Sequence, residues 1–385
     1  MTSGKIFVGY YGSWAVYRPG DGKFDVEQID PTLCTHLVYA FAGAGQDNKI
    51  KVLDPWNDIV DASGSGKDAY RRFNALKKRS PGLKTLLAVG GWNEGSTTFS
   101  QMAADPTKRA TFVRSCVDLL RIYGFDGLDM DWEYPANRGG NSADKVCFQD
   151  VQANFVQLLR DLKAAFMPYG WLLTAAVSAG KGTIDTAYDV PAMSQTLDYI
   201  NVMVYDMHGA WESYTHHNAP LFAHPLDQSR GNTYFNANCS MRYWLSLGAP
   251  KEKLVMGMPI YGRGFTLANP SNNGFYAPTS GPGTAGPYTR EAGILGFNEM
   301  CEVQKRYGDF QRIWNHDIKA PYCTFNSNQW FGYDDNESIA LKAQLILDLG
   351  LAGGMVWSVE TDDFRGNSAS EKNPIQNTIK RVLNG

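Results

Sequence analysis

The sequence predicts an α/β fold, a parallel sheet closed into a (β/α)8 TIM-type barrel, and three observations carry that expectation. Eight short apolar runs rich in β-branched and aromatic residues recur along the chain, each bounded by Gly, Pro or a polar turn. Helical patterns separate most of them, which is the alternation that builds parallel sheets. The 385 residues exceed the ~250 of a plain barrel, and the surplus sits in one stretch before the last strand. A doubly wound open sheet is the alternative that the same alternation allows.

The strand patterns are, in order, 6–11, 36–42, 85–90, 127–133, 172–178, 199–206, 254–261 and 354–359. Helical periodicity covers 67–79, 106–123, 147–166, 187–195, 235–247 and 338–349, and a last helix spans 374–383. Between the seventh and eighth strands, residues 265–335 hold a Gly/Pro/Asn-rich run, a helical pattern over 289–307 and short strand patterns at 312–315 and 330–333. They are expected to form a small α+β insertion domain, leaving 1–264 and 336–385 as the barrel. Loops that follow the strands build the active face of such a barrel, so the insertion is expected to wall one side of it.

Composition narrows the partners. The net charge of −3 argues against nucleic acid or an anionic membrane as partner. No segment reaches the ~18 uninterrupted apolar residues of a membrane span. The start of the chain shows no pattern of a cleavable secretory leader. Aromatic residues make up 13%, with 10 Trp and 20 Tyr; most fill cores, but a surplus of flat rings also suits a groove that stacks on sugars. The six cysteines (Cys34, Cys116, Cys147, Cys239, Cys301, Cys323) form no CxxC pair, and a buried free thiol is the expectation for each. The histidines form no ligand cluster, so no metal and no organic cofactor is expected. His208 is read as structural.

The chemistry concentrates in Asp126-Gly127-Leu128-Asp129-Met130-Asp131-Trp132-Glu133. Side chains two apart share a face of a strand. Asp129, Asp131 and Glu133 therefore point one way, and Leu128, Met130 and Trp132 pack the other way under the helices. Carboxyls ~7 Å apart in a protein interior repel when ionised, so at least one keeps its proton near neutral pH. That is what a general acid needs. Asp126 has the wrong parity and is expected to be structural.

This run resembles the DxxDxDxE signature of glycoside hydrolase family 18, the chitinases, on the fourth strand of their barrel. The likeness continues in order along the chain. Thr35-His36-Leu37-Val38-Tyr39-Ala40-Phe41 resembles the family's second strand, Gly90-Gly91-Trp92-Asn93 the end of its third, and Met203-Val204-Tyr205-Asp206-Met207-His208-Gly209 its sixth. Tyr261-Gly262-Arg263 resembles the seventh and Gly353-Gly354-Met355-Val356-Trp357-Ser358 the eighth. The pattern is similar to animal chitinases that carry the α+β insertion.

The resemblance implies substrate-assisted retention on β-1,4-linked N-acetylglucosamine, in which the substrate's acetamido oxygen is the nucleophile. Glu133 would be the general acid/base. Asp131 would hold the acetamido N–H, Asp129 would share a proton with Asp131, and Tyr205 would donate to the acetamido carbonyl. Trp357 is implied as the floor under the reacting sugar, and Trp92 with Asn93 as the leaving-side platform. Tyr10, Phe41 and Met203 are implied as cleft lining. Asp206, Tyr261 and Arg263 are implied as polar sugar contacts, and Trp14 and Trp211 as outer platforms. The family likeness also implies an extracellular monomer acting on chitin and chitooligosaccharides. Two other readings stay open: a chitinase-like lectin that binds without cleaving, and an endo-N-acetylglucosaminidase acting on N-glycans.

The departures fall on cysteines. Animal members often bridge the first strand to the residue before the Thr-His motif; Cys34 holds the second position, but Gly9 stands in the first. Cys301 matches half of a later pair, yet 362–369 offers no partner, which leaves Cys323 as the candidate.

Overall fold

The computed structural model describes residues 4–138, 147–367 and 371–385; the end of the 362–369 segment lies outside them. Strands follow in the order β1 (Ile6–Gly12), β2 (His36–Ala44), β3 (Ile50–Val52), β4 (Lys84–Gly90), β5 (Gly127–Asp131), β6 (Leu172–Ser178), β7 (Tyr199–Met203) and β8 (Leu254–Pro259). Then come β9 (Tyr261–Leu267), β10 (Thr279–Pro282), β11 (Ile294–Gly296), β12 (Gln311–Asn315), β13 (Ala320–Phe325), β14 (Gln329–Gly332) and β15 (Gly353–Trp357).

The predicted barrel is present. Parallel pairing runs β1-β2-β4-β5-β6-β7-β8-β15 and returns to β1, so the sheet closes and the open-sheet alternative falls. Strand parity sorts the apolar residues into two cores. Val8, Tyr10, Val38, Leu86, Ala88, Val255 and Met355 fill the barrel interior. The opposite face of the same strands (Phe7, Tyr11, Leu37, Leu87, Leu128, Met130) packs under the helices. β3 adds to β2 antiparallel at its C-terminal end.

Local chemistry explains the helix ends. The helix Pro106–Tyr123 matches its predicted limits: Asp105 accepts from the amides of Thr107 and Lys108, Pro106 opens the first turn, and Gly124 closes it at φ 81°. The expected helix over 187–195 is instead two, Lys181–Ala187 and Val190–Thr196. Asp189 caps the second by accepting from Ala192 N, and Pro191 in its first turn has no N–H to give to a preceding turn. Periodicity alone misses such a break.

The second sheet, β10-β9-β14-β13-β12 with β11 on β9, is antiparallel and lies between β8 and β15 in the chain. Its helix is Phe297–Arg306, shorter than the 289–307 pattern. β9, β10, β11 and β13 had no counterpart in the sequence reading. The seventh barrel strand ends at Pro259 rather than 261: Ile260 N–H donates to Trp357 O (2.8 Å), and Tyr261 already starts β9. Among the described residues no helix is long and apolar enough to cross a membrane.

Cys34, Cys116 and Cys323 are buried thiols, but Cys147 is exposed and Cys239 half-buried, against the expectation of burial. Both lie at or near helix starts, where one side of the backbone faces solvent.

Candidate active site

The acidic strand is shorter than its motif. β5 stops at Asp131, so only Asp129 and Asp131 obey strand parity strictly. They face the barrel axis, while Trp132 turns outward, donates its Nε1–H to Ser96 Oγ (2.7 Å) and packs on Phe99 and Phe155. Above the strand end, Gly91 N–H donates to Asp131 O (2.8 Å). A Cβ on Gly90 would lie 2.0 Å from that oxygen, and one on Gly91 would strike the Phe41 ring at 2.8 Å. The Gly-Gly pair is what lets the next loop cross this close. Asp126, at the other end of the strand, accepts from Thr85 N (2.8 Å) and Lys77 Nζ (3.0 Å). It stands apart from the site.

Asp129 is fully enclosed and fully employed. Its Oδ2 accepts from Tyr10 OH (2.7 Å), and its Oδ1 from Thr174 Oγ1 (2.5 Å) and Asn201 Nδ2 (3.2 Å). Asp131 is the opposite: buried, with Oδ1 lacking any hydrogen-bond partner among the described residues. No bond joins the two carboxyls here, since the donors around Asp129 occupy both its oxygens. Burial raises the pKa of each above the usual carboxylate range; for Asp131 the nearby Glu133 and Asp129 raise it further. Burial also pushes Glu133 up to about 7, and Asp206 adds to this. A hydrogen bond from Tyr134 and the charge of Arg138 pull the other way. Burial and the mutual repulsion of Asp131 and Glu133 thus both favour the protonated form.

A cleft of about 1260 Å³ opens over these groups at the C-terminal ends of the strands. It is lined by Tyr10, Trp14, Phe41, Trp92, Asn93, Asp131, Glu133, Met203, Tyr205, Asp206, Trp211, Tyr261, Arg263 and Trp357. Every sequence-predicted site residue is thus at the cleft except Asp129, which lies beneath it. Trp357 is the centre of an aromatic floor: Phe41 stacks on it (5.6 Å between centroids), and Tyr10 (5.8 Å) and Trp14 (6.0 Å) tilt against it. Burial raises the pKa of the Tyr205 phenol, and among the described residues its OH donates only to Met355 Sδ at 3.6 Å. Its hydrogen remains available to a better acceptor.

Tyr205 and Asp206 lie beyond the end of β7, not on it. Asp206 adopts the left-handed region at φ 55°, uncommon for a residue with a Cβ. It is held there by its N–H bond to Asn218 Oδ1 (2.8 Å). Its own Oδ1 accepts from Tyr261 OH (2.5 Å) and Arg263 Nε (2.6 Å). Those two come from β9, so the second sheet supplies part of the cleft directly. Tyr288, Thr289, Glu291 and Ile294 line the same wall.

Comparison with known proteins agrees along almost the whole chain. Residues 6–362 match the family described as Glycosyl hydrolases family 18. The chain belongs to that family. It is 40% identical over 383 residues to Chitotriosidase-1 of Mus musculus, covering 97% of this chain and 77% of the relative. The solved Group IV chitinase of Ostrinia furnacalis, in complex with allosamidin, superposes with a TM-score of 0.92 at 45% identity over 98% of both chains. Human YKL-39, described as a pseudo-chitinase with retained chitooligosaccharide binding properties, superposes with a TM-score of 0.88 at 37% identity, over 99% of this chain and 100% of that one. The family and barrel expected from the motifs are therefore established, and the relatives include both catalysts and a binder.

Against this family background the cysteine departures gain a structural reading. A Cβ at Gly9 would stand 2.8 Å from Cys34 Sγ; the two positions face each other, and the glycine leaves Cys34 a buried thiol. Cys301 and Cys323 are not bridged, and Cys323 Sγ contacts Met300 Sδ at 3.6 Å. Among the described residues no group of His, Cys, Asp and Glu is arranged to hold a metal ion. His208 stacks on His216 (3.7 Å) and bonds Glu212 (3.0 Å), inside the loop that carries Trp211.

Sequence reasoning missed Thr174 and Asn201, the partners of Asp129. A signal existed: Thr174 pairs in register with Asp129, so an inward polar residue on the adjacent strand was readable by parity. Arg138 was also missed. No local pattern marks it.

Proposed function

We propose that the protein is a retaining chitinase that hydrolyses β-1,4-linked N-acetylglucosamine polymers by substrate-assisted catalysis. The observation that carries this reading is the contrast between the saturated Asp129 and the buried, partnerless Asp131 Oδ1 beside a Glu133 raised to about 7. A buried acceptor without a donor costs about 1–3 kcal/mol, and an acetamido N–H from the substrate would remove that cost.

Each step then falls to one group. Glu133 protonates the leaving oxygen, and its carboxylate later activates water. The acetamido oxygen attacks the anomeric carbon, which closes a cationic five-membered ring as the glycosidic bond breaks. Asp131 accepts the acetamido N–H and balances the positive charge that grows there. Asp129, locked by Tyr10, Thr174 and Asn201, keeps the Asp131 pKa raised through its charge. Tyr205 donates to the acetamido oxygen and fixes its line of attack. Trp357 carries the reacting sugar, Trp92 and Asn93 the leaving side, and Asp206, Tyr261 and Arg263 its hydroxyls.

Residues 265–335 act in this reading as the insertion domain that walls the cleft, supported by Tyr288, Thr289 and Glu291 at its edge. Endo action is supported by exposed rings, Trp14, Trp92 and Trp211, spread along an open cleft. The substrate is an extracellular polymer, so the reading implies an extracellular, monomeric enzyme.

The test is proton NMR of chitohexaose incubated with the native chain and with Glu133→Gln. Early β-anomer from the native chain alone supports retention by this route. Early α-anomer rules it out, and binding without turnover by the native chain makes it a lectin like its pseudo-chitinase relative.

A further inference from the structure

Of the three exposed tryptophans at the cleft, Trp92 (56%) and Trp211 (61%) are the most open. A ring that open has little packing to hold its angle, yet each has a guanidinium over one face. Arg263 covers Trp211 at 4.9 Å and is itself at the cleft. Arg138 covers Trp92 more closely, with Cζ 3.4 Å from the ring centroid. Arg138 is not among the cleft-lining residues. It reaches the site only through others.

Its hydrogen bonds make it more than a ring cover. The same Nη1 donates to Trp92 O (2.8 Å) and to Glu133 O (3.2 Å). One side chain therefore spans two loops, the one after β4 that carries the platform and the one after β5 that carries the acid. We propose that Arg138 is a positioning residue: it clamps the Trp92 ring at a fixed angle to the Glu133 backbone, so that stacking of the leaving-side sugar and delivery of the proton share one geometry. This rests on the chitinase reading for the proton, but the platform half holds equally for a binder.

A cation stacked on an exposed tryptophan face is held by the ring's electrons, and bridging two carbonyls adds orientation that a hydrophobic neighbour cannot. The charge also acts on the acid. Glu133 faces Asp131, Asp206, Tyr134, Tyr188 and Tyr205 as well as Arg138, and Arg138 stabilises its carboxylate. Removing that charge moves the Glu133 pKa upward, so the alkaline limb of the rate profile moves to higher pH.

The test uses Arg138→Met, which keeps the length and loses charge and donors, and Arg138→Lys, which keeps the charge. Affinity for chitohexaose is measured by calorimetry in the Glu133→Gln background, so this arm does not depend on turnover. Arg138→Met is expected to weaken binding about fivefold. The same substitution placed on Trp92→Ala should add less than twofold, because the ring it serves is gone. In the active background its kcat/KM alkaline limb should shift up by a few tenths of a unit, and Arg138→Lys should restore the limb. Unchanged affinity in the Arg138→Met variant, or an equal loss with and without Trp92, would overturn the clamp. An unshifted limb overturns the coupling to the acid. If Arg138→Met does not fold, Arg138→Lys still decides: native affinity and native kcat together show that the bridging guanidinium is dispensable. A native chain that binds but never cleaves removes the chitinase reading and leaves the affinity arm standing.

Discussion

The floor of the cleft and its rim are built by different physics. On the floor, Asp129 takes three hydrogen bonds from three other strands, and Trp357 is packed by Tyr10, Phe41 and Trp14. Moving Asp129 would strip Tyr10, Thr174 and Asn201 of a shared buried acceptor. On the rim, Trp92 and Trp211 present open faces and are held from behind by guanidinium groups. The floor fixes atoms to a fraction of an ångström, as bond-making requires. The rim fixes planes, which is enough to carry sugars past the centre. Asp131 belongs to neither style. It is buried like the floor but its Oδ1 is unpaired, and the proposed function places the chemistry at that mismatch.

Substitutions should separate the two regions by size and kind of effect. Removing the acid with Glu133→Gln should lower kcat by about 10³-fold while chitohexaose binding by calorimetry stays near native. A matching fall in affinity would mean that Glu133 belongs to the grip and not to the chemistry. Tyr205→Phe, which deletes one donor at the floor, should cost about 10²-fold in kcat with little change in KM; a pure KM effect would move Tyr205 to the rim class.

Asp129→Ala tests the floor as architecture. It strands Tyr10, Thr174 and Asn201, and should lower stability by about 3 kcal/mol, seen as a lower urea midpoint at unchanged slope. A native midpoint would show that water replaces the carboxylate at no cost.

The pH dependence follows from signs. Glu133 must carry its proton for the first step, and its folded pKa lies raised at about 7, so kcat/KM should fall as pH rises through that value. Because the same pKa stands above its unfolded value, ionisation also costs stability: that contribution is whole at acidic pH and is lost between about 4.5 and 7. A plateau in rate from pH 6 to 9 would contradict the assignment of Glu133 as the acid. The smallest effect is expected at the rim, where Trp211→Ala should raise KM about threefold with kcat unchanged; a larger loss in kcat would erase the distinction between rim and floor.

Most of the barrel was legible because strand order depends on local patterns. Eight apolar runs with their turns marked the ring, and parity placed Asp129 and Asp131 inside it. Parity gave less certain ground for Glu133, which lies past the strand end yet still faces the cleft. The second sheet was poorly legible: β10 and β11 are short, with four and three residues, too short for an alternation to stand out. Tyr261 and Arg263 were identified as cleft residues by motif but assigned to the seventh barrel strand, whereas β9 carries them.

By itself, then, the sequence determined the fold class, the order of the strands and the ladder of carboxyls, because periodicity and parity act over a few residues. Only the tertiary structure decided what each carboxyl is paired with. The donors on Asp129 come from 119, 45 and 72 residues away, and closure of the barrel is what brings them to one point. The same closure leaves Asp131 Oδ1 without a donor and sets Arg138 against Trp92, 46 residues distant. Burial without a partner is a property of an enclosed space, and no stretch of chain can state it alone.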